Sequence, residues 1–146
     1  ISLLWQIHKR YNPETGERLL PYEILLEEGG KTKGAPDLKV IHVENINRDA
    51  EGNSIYSQGD VKNAEVETSL HNFSGHKHST EVIDVVFCWD LGNWKVNNIK
   101  VINGVDVALY EEDGNYFLHA EQGDKKIPII IGDDIVKNNA NLFSPL

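Results

Sequence analysis

With 146 residues, the chain is long enough for one domain with its own core and too short for two. Its 40% hydrophobic and 25% charged content is that of an ordinary globular domain, and no apolar run approaches the ~20 residues needed to cross a bilayer, so no membrane partner is expected. A formal net charge of −9, from 23 acidic and 14 basic residues, argues against a broad basic surface for phosphate backbones. It leaves room for a carboxylate cluster whose bound cation offsets the charge locally.

One cysteine, Cys88, allows no internal disulfide, so a reducing, cytoplasmic compartment is the expectation. Cys88 lies inside an apolar run and reads as a small buried hydrophobe rather than a reactive thiol. Residues Ile1 to Tyr11 lack the basic n-region and small-residue cleavage site of a signal peptide. The first residue is Ile and methionine is absent, so the chain reads as a piece of a longer protein.

In chain order, Leu3, Leu4, Ile7 and Tyr11 fall at helical spacing and predict an N-terminal helix stopped by Asn12-Pro13-Glu14-Thr15-Gly16. Leu19 to Glu27 predicts a first strand, and Glu28 to Gly34 a flexible turn without the spacing of a phosphate-binding loop. Pro36 to Glu44 predicts a second strand, with Leu38 and Val40 on one face and Lys39, Ile41 and Val43 on the other. Asp37 is then held at the mouth of that strand. Asn45 to Asp60 is polar and reads as an exposed hairpin connection, an insertion more than a substrate-facing loop.

Val61 to Leu70 predicts a third strand on which Glu65 and Glu67 share a face. Leu70 to Thr80 reads as a short helix or loop carrying His71, His76, Lys77 and His78. Val82 to Trp89 is apolar on both faces, as in a central strand, and Asp84 within it needs a structural hydrogen bond. Asn103-Gly104 and Asp113-Gly114 are turn signals, and the pattern from Val96 to Ile131 is a β-meander followed by a polar tail.

The order of helix, strand, strand opening with Pro36-Asp37, strand carrying Glu65-Val66-Glu67, short helix and apolar strand resembles the core of the PD-(D/E)xK nuclease superfamily. The resemblance covers roughly residues 1–90. It implies an α/β (α+β) domain with a mixed central sheet, flanking helices and a restriction-endonuclease-like core, followed over 91–146 by the hairpin extension and tail. It implies metal-assisted phosphodiester hydrolysis in DNA restriction, repair or defence. Asp37 and Glu65 would be ligands to Mg²⁺ or Mn²⁺. The family's lysine position holds Glu67, which cannot be the cationic partner. Glu67 is then an extra ligand or general base, or the basic role has moved to Lys77, His76 or His78.

The residues also admit plainer roles. Asp37 reads equally as a strand-entry carboxylate, and Glu65 with Glu67 as the solvated face of an edge strand. His76 and His78 would suit Zn²⁺ if that segment were extended, yet no third ligand is evident nearby, and a polar loop touching substrate phosphates is the alternative. His71 and His119 read as structural. Two other classes stand beside the nuclease: an inactive module binding a protein partner, and a β-rich domain binding a small ligand on Trp89 or Trp94. The expected partners are nucleic acid (DNA foremost), the remainder of the parent protein and a second copy of the chain.

Overall fold

The computed structural model describes residues 7, 9–27, 37–75, 80–121 and 123–143. In chain order the strands are β1 (Tyr22–Glu27), β2 (Leu38–His42), β3 (Asn47–Arg48), β4 (Ser54–Ile55), β5 (Val61–Ser69), β6 (Val85–Asp90), β7 (Ile99–Ile102), β8 (Val105–Glu112), β9 (Asn115–Ala120) and β10 (Lys126–Ile131). Eight of them form one sheet in the order β1-β2-β5-β6-β10-β9-β8-β7, while β3 and β4 pair as a separate short ribbon. β1, β2 and β5 are antiparallel neighbours; β6 runs parallel to both β5 and β10. The described residues are therefore α+β, with a large mixed sheet and few helices among them. Among the described residues no helix is long and apolar enough to cross a membrane.

The alternation of side chains along β5 and β6 divides the core in two. Val86 and Cys88 face a cluster with Leu70, Phe73, Trp94, Leu118 and Ile129. Val85 and Phe87 face the opposite cluster with Leu20, Ile24, Leu38, Val40 and Ala64. Each such aliphatic or aromatic side chain contributes about 1.5–3 kcal/mol on burial, which is why the doubly apolar β6 lies in the middle of the sheet.

The local turn chemistry explains the meander. Asn103 and Gly104 take φ of 50° and 78°, and Asp113 and Gly114 take 51° and 82°. Both central residues of each turn are left-handed, matching the twist of the strands they join. The meander expected over 96–131 is present as β7-β8-β9-β10. Its last strand also pairs parallel with β6, with Ile129 opposite Val86 and Ile131 opposite Cys88.

Other expectations are corrected. Tyr11 does not continue an apolar helical stripe; it is 58% exposed and bridges to Arg18, because Lys9 has already turned out of helix with φ of 70°. Residues 1–6 and 8 of the expected helix, and the expected turn at 28–34, lie outside the described residues. β1 begins at Tyr22 rather than Leu19. β6 begins at Val85, and Val82 is exposed in a turn. The polar tail, for which the sequence predicts no element, holds two short helices, α1 (Gly132–Asn138) and α2 (Ala140–Phe143). Asp133 in the first turn of α1 pairs with Lys137 at 2.9 Å, an i,i+4 pair oriented with the helix dipole, and Ile135 packs against the second cluster.

Candidate functional site

β2 and β5 pair with Leu38 opposite Ala64 and Lys39 opposite Asn63. Continuing that register by one residue sets Asp37, immediately before β2, level with Glu65. A hydrogen bond fixes it there: Asp37 Oδ2 accepts the Val66 N–H at 3.0 Å. The carboxylate thus lies against the Glu65-Val66-Glu67 segment. Period two puts Asn63, Glu65, Glu67 and Ser69 on one face of β5. The parallel register sets Glu65 beside Val86, Glu67 beside Cys88 and Ser69 beside Asp90.

This row is interior. Glu65 is 0% exposed and Glu67 8%, on the sheet face where their neighbours Val86 and Cys88 join the first core cluster, and β5 lies between β2 and β6 rather than at an edge. The solvated edge-strand role for these two residues is therefore overturned. A carboxylate taken out of water has to be compensated by hydrogen bonds, counter-charge, a proton or a metal. Position 67 carries no cation, but Lys39 stands on the same face of β2, two residues after Asp37, and donates to Asn63 Oδ1. His76, Lys77 and His78 lie outside the described residues.

Among the described residues no three of His, Cys, Asp and Glu converge in an arrangement that could hold a metal ion. Mg²⁺ asks for less, since one or two carboxylates with water and phosphate oxygens suffice. Asp37 and Glu65, as hard oxygen donors side by side at one end of the β2–β5 pair, suit that chemistry.

The polar residues expected to be structural have structural partners, and Trp94, weighed as a ligand platform, is buried. Asp84 Oδ2 accepts the Asn63 N–H at 2.8 Å and Asp84 Oδ1 pairs with Lys125 at 3.1 Å, tying the entry of β6 to β5. His71 Nδ1 accepts the Asn93 N–H at 3.1 Å, and a ring nitrogen of His119 meets the Gly123 carbonyl at 2.9 Å. Trp94 is 1% exposed, with its Nε1–H on the Asn98 carbonyl at 3.0 Å, so it is a core member and not a ligand platform. Burial, followed by the charges of Asp90, Asp134 and Glu67, pushes the Cys88 thiol up to about 12, so it stays protonated.

A cleft of about 410 Å³ opens at the carboxyl ends of the parallel strands, lined among others by Asp90, Gly92, Tyr116, Ile131, Asp133 and Asp134. It continues the acidic row, since Ser69 Oγ donates to Asp90 Oδ1 at 2.6 Å. Sequence reasoning missed it because Asp133 and Asp134 reach this end of the sheet only through the β6–β10 pairing. The usable signal was Ile127-Pro128-Ile129-Ile130-Ile131, an apolar run like that of β6 followed at once by Gly132-Asp133-Asp134.

No protein-family model, curated protein or solved structure matches this chain.

Proposed function

We propose that this chain carries a metal-dependent phosphodiester-cleaving site of the PD-(D/E)xK type, built on Asp37 and Glu65 with Glu67 alongside. The observation that carries the proposal is the Asp37 carboxylate seated on the Val66 N–H, between the two glutamates of β5. The order of strands agrees with it: three antiparallel neighbours, β1, β2 and β5, and then β6 parallel to β5. A bound Mg²⁺ would polarise the phosphate and lower the pKa of its water. Asp37 and Glu65 would hold the ion, the Val66 N–H would fix the orientation of Asp37, and Lys39 would supply positive charge on the face where position 67 supplies none.

The test is calorimetric titration of Mg²⁺ and Mn²⁺ into the wild type and Asp37→Asn, with plasmid and single-strand cleavage measured in parallel. Metal binding and cleavage that disappear together in the variant support the site. No metal binding to the wild type sinks it.

A second reading, an inactive module that binds a protein partner, is favoured by one observation, the complete burial of Glu65. Metal binding without cleavage of any nucleic acid would turn the choice towards it.

A further inference from the structure

Glu23 of β1 is 7% exposed, and three cations from three different segments surround it. Arg18 Nη1 and Arg48 Nη2 both approach Oε2 at 3.5 Å, and Lys9 Nζ approaches Oε1 at 3.6 Å. These distances are long. Charge-assisted pairs close to about 2.7–2.9 Å, and arginine on carboxylate favours a two-pronged fork. Here one carboxylate is ringed at arm's length by three positive groups, leaving an excess of two charges in a protein whose net charge is −9.

Arg18 adds a second and independent sign. Its side chain is 10% exposed, and its Nε and Nη2 are buried without a hydrogen-bond partner. An orphaned buried donor costs about 1–3 kcal/mol, more when charged, so such groups are rare without a purpose. Nε and one Nη of arginine form the planar fork that matches two oxygens of a phosphate. Lys9, 61% exposed, is free to swing outward and admit a ligand, while Arg48, 52% exposed, is also held by its Nη1 donating to Ser54 Oγ.

We propose that Lys9, Arg18 and Arg48 form a phosphate-binding site with the Arg18 guanidinium as its floor. The position selects the bearer of the phosphate. Glu23 pairs with Ile41 and Ile41 with Val61, so Glu23 lies on the same sheet face as Glu65. By strand geometry the two are roughly 15 Å apart, the span of two or three nucleotides. A nucleic-acid strand held at the basic site would extend along the sheet towards Asp37, the half-buried carboxylate of the proposed metal site. The choice of nucleic acid rests on the cleavage proposal; the phosphate site does not.

The experiment follows the arginine Nε–H resonances of the full chain by NMR during titration with inorganic phosphate and, at matched ionic strength, chloride. The expected result is saturable movement of Arg18 and Arg48 with phosphate and none with chloride. Arg48→Ala, at an exposed position, should weaken phosphate about tenfold, and Arg18→Lys, which keeps the charge and loses the fork, should also weaken it. Movement that follows ionic strength alone would mean a structural ion-pair network and overturn the site. A short 5′-phosphorylated oligonucleotide should bind more tightly than phosphate and lose affinity in Arg48→Ala. Equal oligonucleotide affinity in wild type and Arg48→Ala overturns the nucleic-acid assignment. Asp37→Asn should leave phosphate binding intact, which separates failure of this site from failure of the metal site.

Discussion

Asp37 and Val66 are joined by a hydrogen bond from the Val66 N–H to Asp37 Oδ2 at 3.0 Å, made just beyond the last paired residues of β2. It gives the aspartate two separable tasks, one structural and one chemical. Asp37→Asn keeps an oxygen acceptor for the N–H and removes the charge, whereas Asp37→Ala removes both. Denaturant unfolding should show Asn nearly as stable as wild type and Ala lower by about 1–2 kcal/mol. Both should lose metal binding equally. If Asn restores metal binding, the carboxylate charge is not what holds the ion.

Gly92 follows β6 at φ of 63°, and a Cβ there would come within 1.9 Å of His71 Nδ1. The Gly92→Ala change therefore forces the His71 ring away and breaks its bond to the Asn93 N–H. A loss of about 1–3 kcal/mol is expected, combining backbone strain with overpacking. In the double variant with His71→Ala the clash with the ring is removed and only the 3.0 Å approach to Ser69 Cβ remains, so the two losses should be less than additive in thermal or chemical melts.

The thiol of Cys88 is raised first by burial and then by Asp90, Asp134 and Glu67. An unfolded thiol ionises near its ordinary value of 9 and the folded one near 12, so between these values the unfolded chain binds fewer protons. The stability associated with this residue is complete below about pH 9 and is lost as pH rises towards about 12. Cys88→Ala should flatten that alkaline decline in a pH series of melts. Alkylation of the native thiol at neutral pH should be slow, and Asp90→Asn should lower the thiol pKa more than Glu67→Gln does.

Asp49 caps the turn of the β3–β4 ribbon, accepting N–H groups from Glu51 and Asn53 at 2.9 and 2.8 Å. The backbone N–H of Asn53, foremost, holds its carboxyl below the usual aspartate range. A depressed folded value means the contribution is present above the unfolded pKa and disappears as pH falls through the folded one. The Asn53 amide resonance should titrate with that low midpoint. Asp49→Ala should loosen the ribbon and, with it, the contact of Arg48 with Glu23.

The legibility of this fold in its sequence follows the range of each interaction. Asn103-Gly104 and Asp113-Gly114 could be read because a left-handed turn is chosen by adjacent residues. The shared face of Glu65 and Glu67 could be read because strand parity is local. Their burial could not, since it depends on β5 lying inside the sheet and on the cluster that packs over their face. The expected place of Asp37 at the mouth of the second strand agrees with its bond to Val66, but the cluster around Glu23 was invisible: Lys9, Arg18 and Arg48 belong to separate loops and hairpins that meet only in the folded chain. The tail was read as polar because its short helices, α1 and α2, carry few apolar residues.

The placing of β10 between β6 and β9 has a consequence for how the molecule is made. During synthesis β6 emerges with one edge satisfied by β5, and its other edge must wait until four more strands, β7 to β10, have been translated. Until then Val86 and Cys88 belong to an apolar strand with one bare edge, the kind that pairs with other chains. The parallel closure with β10 is long in sequence and slow to form. A chain ended after Asp90 should therefore aggregate on refolding, and the full chain should remain soluble under the same conditions, as sedimentation of the two would report. The stretch bearing the acidic row would then be an orphan until its last strand arrives, so any activity it has can begin only once translation of the whole sheet is finished.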